Sequence, residues 1–317
     1  MQAVILAAGK GSRLHPLTNS RSKAMLPILG KPIVERVIEN LAACGLHDFI
    51  LVISPEDGEI KEYFQHESTL DIRLRFVHQP RRLGTADALK QAAPLLKEDF
   101  ILSACDNLVS EEDGQRLISK WSQQRNFQAL LSLIRIPMTD TWKTGIVTLE
   151  KDQVTSIIEK PPPDKAPTNI SSTPLYCFST RIMDYLPQVP LSPRGEYELQ
   201  DAIQMMIDAG ENVRGLYLQS RLTLTTPEDL LEINLHFLQR EAEDCQIDAQ
   251  EAGPGTTFEQ PVCIEQGVEI GSGCTIGPSV YIEKNVRIGD SVQLENVVVL
   301  RQAILPDGVE LKDQIVT

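Results

Sequence analysis

After residue 260 an apolar residue recurs at every sixth position of the chain. This series begins at Val262 and ends at Ile304, and a second apolar series follows it two places on, from Ile264 to Leu300. A hexapeptide period predicts a β-helix, in which the inward-pointing side chains of successive coils stack into one continuous core. A short stack of this kind has open ends that expose backbone groups, so we expect a partner to cover them. The repeat therefore predicts a homo-oligomer assembled through this part of the chain.

Residues 1–125 follow a different pattern, in which strand-like and helix-like segments alternate. Residues 3–8 and 49–53 are apolar runs, and the residues between 33 and 41 have the spacing of an amphipathic helix. Alternation of this kind predicts parallel strands joined by helical crossovers, with ligands bound at the carboxyl ends of the strands.

The first apolar run stops at a glycine-rich loop. Gly9 and Gly11 stand beside Lys10 and Arg13, and no acidic residue occurs before Glu35 although the chain has a net charge of -14. Glycines that expose backbone N–H groups next to cations are suited to holding phosphate. The alternative is an ordinary strand-to-helix turn with solvated cations. A P-loop and a dinucleotide fingerprint are both disfavoured, because neither spacing is present.

The composition of the chain excludes several classes of protein. Hydrophobic residues make up 42% and charged residues 23%, as in globular proteins. The negative net charge argues against a nucleic-acid partner, since phosphate contacts need a basic face. No apolar run approaches the ~20 residues of a membrane span and no signal-peptide pattern is present, so we expect no membrane partner and a cytoplasmic location. The six cysteines form no CxxC pair, which favours scattered thiols over zinc or disulfides.

The length of 317 residues and the change of period together predict two domains. The first is an α/β domain over residues 1–245, and the second is the hexapeptide-repeat domain over residues 258–317. Residues 246–257 form the predicted linker between them, because Gly253, Pro254 and Gly255 mark a break in regular structure.

An ordered series of motifs runs through residues 6–14, 16–18, 22–28 and 31–32. The series resembles the signature of sugar-1-phosphate nucleotidyltransferases. The resemblance implies a Rossmann-like mixed, mainly parallel sheet of the nucleotide-diphospho-sugar transferase type, followed by a short left-handed β-helix. Such a β-helix has three hexapeptides per coil, so the eight hexapeptides of this chain predict fewer than three coils.

The resemblance also implies the site residues. Arg13, Lys23 and Asp106 are the expected catalytic residues, and Asp106 is expected to hold Mg²⁺, the alternative being that Asp106 caps a turn at Asn107. The sugar phosphate is expected at Gly145, Glu159 and Lys160, although a surface ion pair is the alternative for the last two. The nucleotide is expected at Leu6, Ala8, Gly9, Gly11, Ser12, Arg13, Gln79, Gly84 and Thr85. For Gly84 and Thr85 the alternative is a loop glycine followed by a residue that caps its own helix.

Three positions depart from the family pattern. Cys105 stands where the family usually has a glycine before the metal-binding aspartate. Residues 172–174 read Ser-Thr-Pro where the family has Asn-Ala-Gly, and Thr223 occupies the place of a second metal carboxylate.

The resemblance implies an enzyme that makes a UDP- or dTDP-sugar, favouring glucose 1-phosphate, with release of pyrophosphate. Its expected ligands are a nucleoside triphosphate, UTP or dTTP, and a sugar 1-phosphate. The departures from the motif keep open a regulatory homologue that binds nucleotide or nucleotide sugar and acts through oligomerisation. A hexapeptide acetyltransferase is disfavoured, because such enzymes use a histidine and none follows His236.

Overall fold

The computed structural model describes residues 1–124, 126–241 and 251–317, so part of the predicted linker at 246–257 lies outside the described residues. The helices in these ranges are α1 (Ile33–Ala43), α2 (Gly58–His66), α3 (Thr85–Ala92), α4 (Glu111–Gln123), α5 (Ile182–Tyr185), α6 (Leu199–Asp208) and α7 (Pro227–Arg240). None of these helices combines the length and the hydropathy that a bilayer crossing requires.

The strands fall into two sets. Those before α7 are β1 (Gln2–Leu6), β2 (Pro27–Ile28), β3 (Lys31–Pro32), β4 (Asp48–Ile53), β5 (Arg73–His78), β6 (Phe100–Ala104), β7 (Asn107–Val109), β8 (Ala129–Arg135), β9 (Gly145–Glu150), β10 (Gln153–Glu159), β11 (Ile170–Phe178), β12 (Val213–Tyr217) and β13 (Arg221–Thr223). Those after α7 are β14 (Glu251–Ala252), β15 (Thr257–Phe258), β16 (Val262–Ile264), β17 (Glu269–Ile270), β18 (Thr275–Ile276), β19 (Val280–Ile282), β20 (Arg287–Ile288), β21 (Gln293–Val299), β22 (Ile304–Leu305) and β23 (Glu310–Val316).

Contacts divide the described chain into two compact units, and each unit is built from two separate stretches of sequence. Unit 1 contains Met1–Lys10 and Val37–Leu222, and unit 2 contains Gly11–Arg36 and Thr223–Thr317. From Gly11 onwards, the first signature motif therefore belongs to the same compact unit as the C-terminal repeat.

Unit 1 is built on a nine-stranded sheet with the order β5-β4-β1-β6-β11-β8-β12-β10-β9. Strands β5, β4, β1 and β6 run parallel, with Ala3 opposite both Phe49 and Ile101. Strand β11 pairs in antiparallel fashion with β6 and β8, and β10 pairs in the same way with β9 and β12. The predicted α/β class with a mixed, Rossmann-like sheet is confirmed.

Continuous apolar runs explain the parallel half of this sheet. Val4, Phe49 and Leu102 have no exposed surface, as expected for strands that are covered on both faces. Leu89 in α3 and Ile203 in α6 belong to the same buried cluster as Val4 and Leu102. The sheet and these helices therefore share one core.

The carboxyl ends of the parallel strands meet at one edge of the sheet. The Cys105 N–H donates to the Leu6 carbonyl at 3.1 Å, and the Gln79 N–H donates to the Ile53 carbonyl at 2.8 Å. These bonds continue the strand pairing past the strand ends. The loops that carry most of the site residues predicted in unit 1 thus start side by side.

The C-terminal part of unit 2 is a stack of short parallel strands. From Val297 onwards, each paired residue lies 17 positions after its partner in the preceding coil. In the earlier coils Thr257 pairs with Thr275 and Val262 pairs with Val280, so partners lie 18 residues apart. This is the spacing that three hexapeptides per coil predict. Val262 and Val280 are fully buried in a core that runs along the stack, as the hexapeptide period predicts for a β-helix.

The stack is longer than the hexapeptide period predicts. One of its sheets has the order β14-β17-β20-β22, so four rungs lie above one another and the expected number of fewer than three is wrong. The first rung precedes the apolar series, yet its Gly253 N–H donates to the Ile270 carbonyl at 2.8 Å. Backbone hydrogen bonds between strands do not require apolar side chains. A strand that lies outside the hexapeptide series can therefore join the stack, and the period of the series does not predict it.

Helix α7 and Gly11–Arg36 complete unit 2. The buried Asn234 side chain in α7 donates to the Pro27 carbonyl at 3.1 Å and accepts from the Leu29 N–H at 3.0 Å. Helix α7 also packs against β19, β21 and β23. One helix therefore contacts both the N-terminal segment and the stacked strands.

Candidate functional site

Strand β1 leads into the first part of the glycine loop, which lies in unit 1. Ala8 is buried, whereas Gly9 is exposed, and no described atom lies within 4 Å of the position that a Cβ on Gly9 would take. Protein packing therefore does not explain the glycine. The open face allows a ligand to approach the Gly9 backbone, as phosphate binding requires.

Arg82 fixes the orientation of this loop. Its Nε donates to the Ala8 carbonyl at 2.9 Å, and its guanidinium pairs with Glu56 at 2.9 Å. In a trans peptide the carbonyl and the following N–H point in opposite directions. With the Ala8 carbonyl held by Arg82, the Gly9 N–H is directed away from the arginine.

Gln79 is buried, and its amide is oriented by two acceptors. Its Nε2 donates to the Gly84 carbonyl at 3.0 Å and to Asp87 Oδ2 at 2.8 Å. A carboxylate can only accept at neutral pH, so Asp87 places the nitrogen of the Gln79 amide. Both amide hydrogens are thereby used, and Oε1 is left to accept a hydrogen bond from a ligand.

Gly84 is a glycine because the backbone of Tyr197 approaches it closely. A Cβ at Gly84 would lie 2.5 Å from the Tyr197 carbonyl oxygen, and the Gly84 φ angle is +104°. Thr85 begins α3 without capping that helix, and its hydroxyl instead accepts from the Leu199 N–H at the start of α6 at 3.0 Å. Both residues therefore join α3 to the segment before α6.

Asp106 lies in the turn between β6 and β7, at the carboxyl edge of the parallel strands, and is half-buried. The adjacent Asn107 is buried, and neither polar atom of its amide has a hydrogen-bond partner in the described part of the chain. No group of three or more His, Cys, Asp or Glu side chains able to hold a metal occurs among residues 1–124, 126–241 and 251–317. A single carboxylate suits Mg²⁺ that arrives with a triphosphate, because this ion keeps several waters and takes phosphate oxygens as ligands.

Glu159 and Lys160 lie at the end of β10, with Glu159 opposite Gly145 in β9. Glu159 Oε1 is 3.1 Å from Lys160 Nζ, and the exposed fractions of the two side chains are 11% and 31%. The pair is therefore largely enclosed, which argues against the alternative of a solvated surface pair. Lys160 adopts a left-handed backbone conformation with φ +47°, which is unfavourable for a residue with a Cβ.

The second oxygen of the Glu159 carboxylate lies close to Gly145, whose missing side chain allows the surrounding side chains to approach. Glu159 Oε2 is buried and has no hydrogen-bond partner in the described part of the chain. A Cβ on Gly145 would lie 3.3 Å from this oxygen and 2.8 Å from Ser172 Oγ. Burial raises the pKa of Glu159, and the neighbouring Lys160 lowers it. The carboxylate thus has a buried acceptor that the described side chains leave without a hydrogen bond.

Arg194 connects this carboxylate to the segment before α6. It lies 3.4 Å from Glu159 Oε1 and 2.5 Å from Glu198 Oε1. Three residues further along the chain, the Tyr197 backbone contacts Gly84. Residues 194–199 therefore lie between the Gln79 region and the Glu159 region within unit 1.

The remaining signature residues lie in unit 2. Gly11 has a φ of +65°, and a Cβ on it would lie 2.9 Å from the Cβ of Lys23. Thr18 Oγ1 donates to the Gly11 carbonyl at 3.0 Å, and a short 3-10 turn spans Ser12–Leu14. The fold thus brings the Gly11 backbone and Lys23 into contact, with Arg13 exposed in that turn.

The three departures from the family pattern have identifiable places in the fold. Cys105 is buried beside the Leu6 carbonyl. Residues 172–174 lie within β11, and Pro174 falls where the pairing with β8 shifts register, a position that tolerates a missing N–H. Thr223 is the last residue of β13.

Three side chains of this site were missed by reasoning from sequence: Arg82, Asp87 and Arg194. Asp87 could have been found from the sequence, because it follows Gln79 by only eight residues and lies in the first turn of α3. Arg82 and Arg194 contact residues that are distant in sequence, so no local sequence pattern predicts their place in the site.

Residues 2–240 match the family described as Nucleotidyl transferase, and residues 258–317 match the family described as the GMPPB C-terminal domain. Since the first match covers more than half of the sequence, the chain belongs to the nucleotidyl transferase family. The resemblance drawn from the signature motifs is confirmed.

Named relatives support this assignment. The bifunctional protein GlmU of Methanococcus maripaludis strain C7 is 31% identical over 242 residues, which are 76% of this chain and 55% of GlmU, so the chain spans about half the length of that relative. The UTP–glucose-1-phosphate uridylyltransferase AglF of Haloferax volcanii is 31% identical over 231 residues, or 72% of this chain and 93% of AglF. The structure of UDP-glucose pyrophosphorylase from Acinetobacter baumannii aligns with a TM-score of 0.66 and 25% identity, over 75% of this chain and 93% of that one.

Proposed function

We propose that this chain transfers a nucleotidyl group from UTP or dTTP to a sugar 1-phosphate, favouring glucose 1-phosphate, and releases pyrophosphate. Membership of the nucleotidyl transferase family supports the reaction class. The names of AglF and of the aligned structure support a uridine nucleotide and glucose.

The orientation of the Gln79 amide is the observation that supports a uracil or thymine base. Gly84 and Asp87 use both of its N–H groups, so the side chain offers a ligand only an acceptor. Uracil and thymine present a ring N–H between two carbonyls and can donate to that acceptor. Adenine and cytosine carry a lone pair at the corresponding ring nitrogen, which would face the lone pairs of the Gln79 oxygen, and their exocyclic amines could donate to it only if the base shifted sideways.

The Glu159 and Lys160 pair supports a ligand with hydroxyls at one end and phosphate at the other. The buried Glu159 oxygen without a hydrogen-bond partner would accept from a sugar hydroxyl, and the Lys160 ammonium would contact the phosphate. A side chain at position 145 would press on Ser172 and on the Glu159 carboxylate, so Gly145 allows that carboxylate to keep its position.

In the proposed reaction an oxygen of the sugar phosphate attacks the α-phosphorus of the triphosphate. The bond from that phosphorus to the bridging oxygen breaks in line, and pyrophosphate leaves with the bridging oxygen, so no proton transfer is needed. The protein contributes positioning and charge. Mg²⁺, held by Asp106 together with the triphosphate, would neutralise charge on the phosphate oxygens. Lys23 would offset charge at the attacked phosphorus, and the pyrophosphate would be bound by Gly9, Gly11, Ser12 and Arg13.

A second candidate function is a regulatory homologue that binds nucleotide or nucleotide sugar without turning it over. Thr223 favours this alternative, because a threonine hydroxyl is a far weaker metal ligand than the carboxylate that the family pattern places there. Pro174 and Cys105 also alter positions that line the family's substrate site.

A pyrophosphate-release assay separates the two functions. We expect turnover with glucose 1-phosphate and UTP or dTTP, and at least tenfold less with ATP or CTP, because Gln79 presents only an acceptor. An Asp106→Ala variant supplies the background rate. If no nucleoside triphosphate gives turnover above that background while UTP still binds by calorimetry, the regulatory function is correct. A preference for GTP would show that the base site is wider than a pyrimidine requires.

Glu159→Gln is expected to raise the KM for the sugar 1-phosphate about tenfold and to leave the KM for UTP within twofold. Burial raises the pKa of Glu159, so in the parent protein the carboxylate charge is lost at a higher pH than in an exposed glutamate. The KM for the sugar phosphate should therefore rise as the pH falls through that raised pKa, and the glutamine variant should show only the smaller rise that protonation of the phosphate group of the substrate causes. Glu150→Gln, at the exposed far end of β9, is the matched control. Parallel pH profiles of the parent and Glu159→Gln would contradict the assignment.

A further inference from the structure

A buried ion pair joins Gly11–Arg36, which we call the signature segment, to the stacked strands inside unit 2. The Arg21 guanidinium donates to Glu283 through two bonds of 2.7 and 2.9 Å, and the two side chains are only 4% and 6% exposed. Glu283 also accepts from the Arg301 N–H at 2.7 Å. Both oxygens of this carboxylate therefore accept hydrogen bonds from these partners.

A second buried contact lies close to the first. The Tyr281 hydroxyl accepts from the Gly30 N–H at 3.0 Å and donates to Glu265. The Lys284 N–H donates to the other Glu265 oxygen at 3.3 Å. Tyr281 has no exposed surface. The stacked strands thus hold the signature segment at two points, Arg21 and Gly30.

Stability alone is a poor explanation for this arrangement. Desolvating an arginine and a carboxylate costs several kcal/mol for each ion, and well-packed apolar residues of similar size often serve stability as well or better. A bidentate pair of this kind does fix the position and direction of the backbone that carries it. The segment so fixed carries Lys23 two residues after Arg21, and the Gly11 backbone rests against Lys23.

We propose that Glu283 and Tyr281 are positioning residues for phosphate binding. They hold Arg21 and Gly30, and through them Lys23 and the Gly11 turn, in the geometry that the triphosphate requires. The stacked strands then support nucleotide binding by their own chain, in addition to any role in oligomer assembly. This inference rests on the proposed function, since it assumes that Gly11 and Lys23 contact a triphosphate.

The test uses the full chain with both charges of the pair removed together. In the double variant Arg21→Met and Glu283→Leu the packing volume is nearly kept and no buried charge is left without its partner. We expect a melting temperature within a few degrees of the parent, a UTP affinity lowered about tenfold by calorimetry, and faster amide hydrogen exchange across residues 11–30. The KM for the sugar 1-phosphate should stay within twofold. Glu295→Gln, which removes the exposed partner of Lys312 on the same stack, is the control and should change none of these quantities.

Tyr281→Phe is the second variant, because it keeps the ring and removes only the hydroxyl. It should lower UTP affinity about threefold and increase exchange near Gly30. Parent-like UTP affinity and exchange in both variants would overturn the inference. Exchange and calorimetry do not need turnover, so a parent protein that binds UTP without releasing pyrophosphate would disprove the proposed reaction and leave the positioning role to be decided by these two measurements.

Discussion

Asp106→Ala should lower kcat about a thousandfold, equivalent to about 4 kcal/mol of transition-state stabilisation. Asp106 is the carboxylate at the carboxyl edge of the parallel strands, and it is the residue that we propose holds Mg²⁺ together with the triphosphate. Removing it weakens the binding of the Mg²⁺ whose positive charge would stabilise the phosphate oxygens during the transfer, and single electrostatic contributors of this kind are worth two to three orders of magnitude. Pyrophosphate release under saturating UTP and glucose 1-phosphate measures the effect.

The control for this variant is Asp184→Ala. Asp184 is an exposed aspartate that pairs with Arg181 at 3.3 Å on α5. Its removal should leave kcat within twofold of the parent, because an exposed ion pair contributes little to the fold. Similar losses in the two aspartate variants would mean that Asp106 acts through folding and not through the reaction.

A chain that ends at residue 241 should lose measurable UTP binding. The sequence predicts residues 1–245 as a domain, and this truncated chain contains nearly all of that range. In the structure, however, Gly11–Arg36 belongs to unit 2, where Arg21 pairs with Glu283 and Gly30 donates to Tyr281. Truncation would leave the Arg21 guanidinium without its carboxylate and would uncover the segment that carries Lys23. Calorimetry with UTP and amide exchange over residues 11–36 measure the consequence.

A chain that ends at residue 309 is the matched control. It loses β23 but keeps Tyr281, Glu283 and Arg301, so the two buried contacts can form. We expect this chain to bind UTP with an affinity within threefold of the parent. Full UTP affinity in the chain ending at residue 241 would show that the signature segment holds its geometry without the stacked strands.

The sequence predicts most of the sheet in unit 1 because the evidence is local. An apolar run of five or six residues, such as β4, must be covered on both faces, and its neighbours in a parallel sheet are then constrained by the helices between them. The contact of Gly11 with Lys23 could also be anticipated, because the signature motifs place a glycine turn and a lysine within one short segment. The 18-residue offset of the earlier coils follows directly from the hexapeptide period, whereas the 17-residue offset of the last coil does not.

Other features depend on contacts that no period or motif describes. The pairing of Arg21 with Glu283 spans 262 positions, and each residue alone reads as an ordinary surface charge. The bond from Arg82 to the Ala8 carbonyl and the close approach of Tyr197 to Gly84 are of the same kind. Side-chain partners across such distances are set by the assembled backbone. Sequence reasoning therefore identified residue types at the site and missed the residues that orient them.

The two-part composition of unit 2 has a consequence for synthesis of the protein. Arg21 leaves the ribosome long before Glu283, which lies 262 positions later, and at ~5–20 residues per second this length takes roughly 13 to 50 s to translate. During that interval the segment that carries Lys23 lacks its partner, and closing so long a loop is entropically slow. Newly made chains should therefore acquire full nucleotide affinity only after Tyr281, Glu283 and Arg301 have emerged, whatever the rate at which the parallel strands assemble.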